Sequence, residues 1–388
     1  MSRIYLDNAA TTAVRPEAID AMLPYLRERY ANPSSPHSSG QAARRALDHA
    51  RETAAASIGA KPTEVVFTGG GSEADCLAIF GIMDANAERG NGLITCAIEH
   101  HAVLHAADVL RRRGADVTVL GVDAQGFVDP GALRAALKDT TVLVSIMHAN
   151  NEIGTIQRIA DLAAAAHERG ALFHTDAIQT VGHVPVDVTS LGVDALTMSA
   201  HKFEGPKGVG ALYARRGVRV RPRVVGGSQE LGKRAGTENV AGIVGLAAAL
   251  DLAMRELPES SKQVRDLRDR FVERVAAAVP DCALNGPRTE RLPNNASVRF
   301  AKCDASAIMM ALDVEGVEVS TGSACTSGSA EPSHVLTAIG LQPEAARGTV
   351  RFSLGRTNTA AELERVAAAL PGIVEKMRNL SGVMLAGG

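Results

Sequence analysis

The chain has 388 residues, enough for two or three domains, and its 41 Lys and Arg nearly balance 43 Asp and Glu, leaving a net charge of -2 with histidines neutral. That balance excludes the strongly basic footprint of a dedicated nucleic-acid binder. With 46% hydrophobic and 22% charged residues, disorder, collagen-like repeats and coiled coils are excluded as descriptions of the whole chain. Tryptophan is absent and aromatics are only 3%, so stacking platforms for single-stranded nucleic acid find no support. The cysteines, Cys76, Cys96, Cys282, Cys303 and Cys325, are odd in number and never form a CxxC pair, which argues against a disulfide framework or a zinc site. The opening MSRIYLDNAATT has no apolar core behind a basic start, and no stretch approaches about 18 uninterrupted apolar residues. Neither a secretory signal nor a membrane span is predicted. The expectation is a reduced, soluble, cytoplasmic protein.

In chain order, residues 1–14 are expected to pack against a later, smaller domain. From about residue 60, short β-branched runs at 64–68, 93–97, 116–120, 142–147, 171–175, 195–199 and 210–213 read as strands. Alanine-rich amphipathic stretches at 72–89, 103–113, 130–137 and 159–169 read as the helices between them. This alternation predicts βαβ units, hence an α/β fold with a mostly parallel central sheet covered on both faces. After about residue 260 the style changes: a charged helix over 261–279, a strand at 295–300, a helix from Asp304 and a last helix from Ala360. The division expected is a large domain over 15–260 and a smaller α/β domain made of 1–14 and 261–388. The stretch STGSACTSGS at 320–329 is small and polar apart from Cys325, and reads as a mobile loop.

Three constellations carry chemistry. Gly69-Gly70-Gly71-Ser72 joins a strand to a helix, and such a turn can offer backbone N–H groups, a helix dipole and a hydroxyl to a phosphate. A plain βα turn capped by Ser72 explains the same residues equally well. Ser199-Ala200-His201-Lys202 follows a strand, where Lys202 could form a Schiff base with an aldehyde cofactor. Taken alone, it is a solvated surface lysine. His174-Thr175-Asp176 ends another strand, where Asp176 could pair with a protonated pyridine nitrogen or simply cap a helix. The set tips the balance, because all three lie at the carboxyl ends of candidate parallel strands, where open α/β sheets bind ligands.

Longer motifs extend the pattern: IYLDNAATT at 4–12, NPSS at 32–35, EHHAVL at 99–104, ANNEIGT at 149–155 and HTDAIQ at 174–179. SAHKFEGPKGVGALY at 199–213, RAGTEN at 234–239, GSACTSG at 322–328 and RFSLGR at 351–356 follow. With these the chain resembles, nearly end to end, the cysteine desulfurases of the nitrogen-fixation and iron–sulfur-assembly type. These are fold-type I pyridoxal-phosphate enzymes of the class-V aminotransferase group. The resemblance implies pyridoxal 5'-phosphate held covalently by Lys202, with Asp176 on the ring nitrogen and Gln179 on the ring oxygen. It puts Gly71, Ser72, Ser199 and His201 at the phosphate, and Thr237 at the phosphate of a partner subunit in a homodimer. It implies His100 stacked on the ring as an acid/base group, Asn151 and Arg351 on the substrate carboxylate, and Cys325 as the nucleophile that leaves as a persulfide. The implied reaction converts L-cysteine to L-alanine and passes sulfur to an acceptor such as an iron–sulfur scaffold, on which Cys325 could transiently ligate a cluster. No resident metal, membrane or direct nucleic-acid partner is expected.

Rivals are selenocysteine lyase, the same chemistry feeding tRNA or DNA thiolation, and a relay protein without turnover. Cys76, Cys96, Cys282 and Cys303 are expected to be structural, and Arg219, Arg221 and Arg223 a solvated basic edge. The chain departs from the family at Gly71-Ser72-Glu73-Ala74-Asp75, where Ala-Thr-Glu-Ser-Asn is usual, and at Ser228 and Leu231, which stand for a glycine and an arginine.

Overall fold

The computed structural model describes residues 3–321 and 332–386, with side chains as far as 379. In chain order the strands are Ile4–Tyr5 (β1), Val65–Thr68 (β2), Gly92–Cys96 (β3), Asp116–Leu120 (β4), Thr141–Ser145 (β5), Leu172–Asp176 (β6), Ala195–Ser199 (β7) and Gly210–Ala214 (β8). Cys282–Leu284 (β9), Asn295–Phe300 (β10), Val317–Glu318 (β11), Ser320–Thr321 (β12) and Thr349–Ser353 (β13) complete the set. β2 to β8 build one seven-stranded sheet in the order β2-β8-β7-β6-β5-β3-β4. All neighbours from β7 to β4 run parallel, and β8 alone is reversed, antiparallel to both β2 and β7.

Side chains of these strands alternate between two cores, as the two-residue period of a strand requires. Val66, Leu93 and Leu143 face one apolar cluster; Phe67, Ile94 and Val144 face the other. Runs such as VVFT and TVLVS are buried throughout because helices cover both faces. A separate apolar cluster around Phe271, Phe300 and Phe352 underlies the antiparallel sheet β12-β13-β10-β9. The N-terminal segment serves both regions. Ile4 and Leu6 lie in that separate cluster, and Ile4 pairs with Val317. Thr12, six residues after Leu6, instead donates from both its N–H and its hydroxyl to the His201 carbonyl.

The predicted strands all form, with ends shifted by two residues at most. The helices depart further. The charged helix expected from residue 261 begins at Val240 and runs without a break to Ala278, passing through Pro258. Its first half is nearly all apolar and buried and its second half is charged, so one rod reads as two segments. The Asn239 side chain caps it by accepting from the Gly242 N–H at 3.0 Å. Helices Pro16–Arg27 and Ser38–Ala56 were not expected from the sequence. The second hides its helical period because its buried stripe is mostly alanine: Ala43, Leu47, Ala50 and Ala54. Among the described residues no helix is long and apolar enough to cross a membrane.

One buried ion pair ties this helical layer to the sheet edge. Arg51 donates to Glu230 Oε2 and Oε1 at 2.7 and 2.6 Å, and Phe67 N–H donates to Glu230 Oε2 at 2.7 Å. Glu230 and Leu231 both sit at positive φ, 48° and 59°, so the carboxylate contacts hold a backbone conformation unfavourable for either residue. Glu230→Ala strands the Arg51 charge and is expected to cost about 3–5 kcal/mol by urea denaturation. A loss within about 0.5 kcal/mol would mean the pair does not hold this edge.

Candidate active site

The carboxyl ends of β2, β5, β6 and β7 converge on a cavity of about 340 Å³. Gly71, Ser72, His100, Asn151, Asp176, Gln179, Ser199, His201, Lys202 and Arg351 all line it. Two expected site residues are elsewhere. Thr237 lines a separate cavity beside Gly69, Glu230 and Arg234 of the same chain. Cys325 lies outside the described residues, as does most of the loop expected at 320–329.

Local structure accounts for each position. Gly70, at φ 148°, turns the chain out of β2 into helix Gly71–Ala85, whose N–H groups open onto the cavity. A Cβ on Gly71 would lie 2.3 Å from Ile178 Cδ1, so the alanine usual in the family would require the end of the Ile178 side chain to turn aside. Ser199 closes β7, and the 3-10 turn Ala200–Lys202 sets Lys202 at the cavity wall. Its Nζ donates to the carbonyls of Ala9 and Ala10 at 2.7 and 2.8 Å. His201 Nδ1 lies 3.1 Å from the Thr11 hydroxyl, and burial, with Lys202 and Lys207 nearby, pushes its imidazole down to about 4.

His100 caps the helix His101–Arg112, its Nδ1 accepting from the Ala102 N–H at 3.1 Å. Burial, reinforced by Lys202 and by His101, His334 and His105, pushes it down to about 4. It is therefore neutral at pH 7 with its proton on Nε2, a donor that can give that proton to a group in the cavity. Asp176 ends β6, and its Oδ1 accepts from the Ile178 N–H at 2.9 Å. Burial pushes this carboxyl up to about 6, against the pull of that N–H and of Lys202. A buried carboxyl facing a cavity is stabilised as the anion by any cation placed there. Gln179 Nε2 donates to the Ala9 carbonyl at 3.1 Å, which fixes its amide.

Arg351 reaches in from β13, 1% exposed, donating to Asp7 Oδ1 at 2.8 Å and to the Asn151 carbonyl at 3.1 Å. Its buried Nε makes no hydrogen bond. A guanidinium on the cavity wall suits a carboxylate ligand. Asp7 and the Ala9 and Ala10 carbonyls are the groups that residue-by-residue reading missed. The signal for Asp7 was inside IYLDNAATT; main-chain carbonyls leave none.

The described thiols are poor nucleophiles. Burial raises Cys76, Cys282 and Cys303, and raises Cys96 well above the ordinary thiol range with help from Glu99. Of the basic edge, Arg219 pairs with Glu88, and Arg223 pairs with Asp84 at 2.7 Å.

The aminotransferase class-V family model matches residues 4–366. The chain belongs to this family. Cysteine desulfurase IscS of Dictyoglomus turgidum is 51% identical over 97% of this chain and 96% of that protein. Cysteine desulfurase IscS of Methanosarcina thermophila is 50% identical over 97% and 93% of the two chains. A solved NifS-like protein superposes with a TM-score of 0.89 at 36% identity, covering 98% of this chain and 100% of that one. The class-V family is dependent on pyridoxal 5'-phosphate, and the α/β architecture is that of fold-type I. The residues present fit that cofactor: a helix N-terminus opening at the cavity, a buried carboxyl on its wall and a lysine beside them.

Proposed function

We propose that the chain is a cysteine desulfurase, converting L-cysteine and a protein thiol into L-alanine and a protein persulfide. The observation that carries this reading is that Lys202, Asp176, the Gly71 helix start and Arg351 share one cavity of about 340 Å³. Bound there, pyridoxal phosphate supplies an electron sink for charge developing at a substrate's α-carbon.

Each residue has a task in this reading. Gly71 and Ser72, with Ser199 and His201, hold the phosphate; Lys202 is the covalent anchor; Asp176 holds the ring nitrogen in its cationic form and Gln179 steadies the ring oxygen. Arg351 and Asn151 orient the amino acid by its carboxylate. Neutral His100, on the wall of the same cavity, would serve as a proton carrier beside the cofactor. The Cys325 thiolate takes the sulfur, so the substrate C–S bond breaks, an S–S bond forms and the carbon recovers a proton. The atoms of cysteine plus thiol equal those of alanine plus persulfide, so no outside oxidant is needed. Thr237, away from its own chain's cavity, serves a second subunit's phosphate in a homodimer. The persulfide then supplies an acceptor protein, with iron–sulfur assembly as the destination.

The test is to supply the loaded protein with L-cysteine under a thiol reductant and to measure alanine and sulfide. Equimolar alanine and sulfide are expected; no alanine would overturn the reading. A clear preference for selenocysteine in the same assay would favour the lyase rival. A second expectation concerns Arg351. Arg351→Lys keeps a charge but loses the planar fork, so KM for cysteine is expected to rise about tenfold while kcat changes less. An unchanged KM would remove Arg351 from substrate binding.

A further inference from the structure

A second carboxyl lies behind the one that faces the cavity. Asp75, in the helix Gly71–Ala85, is 0% exposed, and neither of its oxygens makes a hydrogen bond. The groups facing it come from the sheet and its turns: Asp176 and His174 from β6, the Thr197 hydroxyl from β7, and Glu99 from the turn after β3. His174 Nε2 stands 3.8 Å from Asp75 Oδ1 because that nitrogen is engaged by Thr197 Oγ1 at 3.0 Å, and Nδ1 by Ser145 Oγ at 2.9 Å. Thr197 is the register partner of Asp176 across the β6/β7 ladder, so this buried polar row runs directly alongside Asp176.

Among the described residues no cation neutralises Asp75. Burial pushes His174 down to about 3, so its imidazole is uncharged at pH 7. Two neighbouring buried carboxyls do not both ionise readily, and a nearby cation decides which of them carries the charge. A ring nitrogen cation placed in the cavity favours ionised Asp176 and leaves the proton to Asp75.

We propose that Asp75 and Asp176 form an electrostatically coupled carboxyl pair behind the cofactor site, with Asp75 the positioning residue that keeps a proton while Asp176 serves as the ionised partner. This rests on the reading of Asp176 given above. Burial first, then the charge of Asp176, push the Asp75 carboxyl well above the usual carboxylate range, and Glu99 adds to this against the pull of Thr197. The family pattern has asparagine at this position, which matches a protonated aspartate in shape but cannot release its proton. At alkaline pH, therefore, Asp75 can add a negative charge behind the ring that asparagine cannot supply.

Asp75→Asn is the shape-preserving, permanently neutral variant, and Asp75→Ala a second neutral one. Wild type and variants are loaded with pyridoxal phosphate and compared by infrared difference spectroscopy at neutral pH. The visible band of each loaded protein is also titrated toward alkaline pH. The expected result is an un-ionised carboxylic-acid band in wild type that both variants lack. The buried acid Glu152 cancels in the difference, and repeating the comparison in a Glu99→Gln background removes the contribution of Glu99, which faces Asp75. The alkaline midpoint of the visible band is expected about one pH unit lower in Asp75→Asn, because the extra negative charge that favours the protonated form is gone. A difference spectrum without an acid band, or superimposable titrations, would overturn the pair. Failure of wild type to acquire any visible band would overturn the cofactor reading itself, and the pair with it.

Discussion

Lys202→Ala is expected to abolish the visible absorption of the loaded protein near roughly 400 nm and to lower alanine formation about a thousandfold or more. The lysine sits at the wall shared by Asp176 and His100, and its Nζ rests on the Ala9 and Ala10 carbonyls. Those two acceptors fix the ammonium beside the cavity while the chain rests, so the alanine variant loses both the anchor and the group that returns to it. The Gly71 helix start and Asp176 remain, so the variant is expected to bind cofactor weakly and without a covalent bond. Measuring the spectrum before and after dialysis checks this. A variant that keeps an undiminished band through dialysis would remove the anchoring role from Lys202.

Cys325→Ser is expected to leave the spectral response to L-cysteine intact while sulfur transfer falls about a thousandfold. A serine hydroxyl is far less acidic and less nucleophilic toward sulfur than a thiol, and cannot form a persulfide. The described thiols offer no substitute, because burial holds Cys76, Cys96, Cys282 and Cys303 toward the protonated form. Assay of sulfide and of protein-bound sulfane sulfur decides it. Full transfer by the serine variant would move the role to another thiol.

Where chemistry depends on side chains at strand ends, the sequence was legible. Gly71, Asp176 and Lys202 each follow a β-branched run, and the parallel sheet brings those ends together. Other features have no side-chain signature. The Ala9 and Ala10 carbonyls that receive Lys202 could not be read from two alanines. The helix Val240–Ala278 passes from a mostly buried to a largely exposed environment, so its pattern changes midway although its backbone does not. Asp75 looked like a minor exchange in a phosphate loop. Its meaning depends on the fold, which buries it beside Asp176 with no hydrogen bond to either oxygen.

The most direct test of the account is the visible spectrum of the purified protein loaded with pyridoxal phosphate, recorded before and after L-cysteine, with alanine measured in the same sample. A band near roughly 400 nm that shifts on adding cysteine, with alanine appearing, is the predicted result. A protein that stays colourless after loading, or whose band ignores cysteine while no alanine forms, would contradict the account.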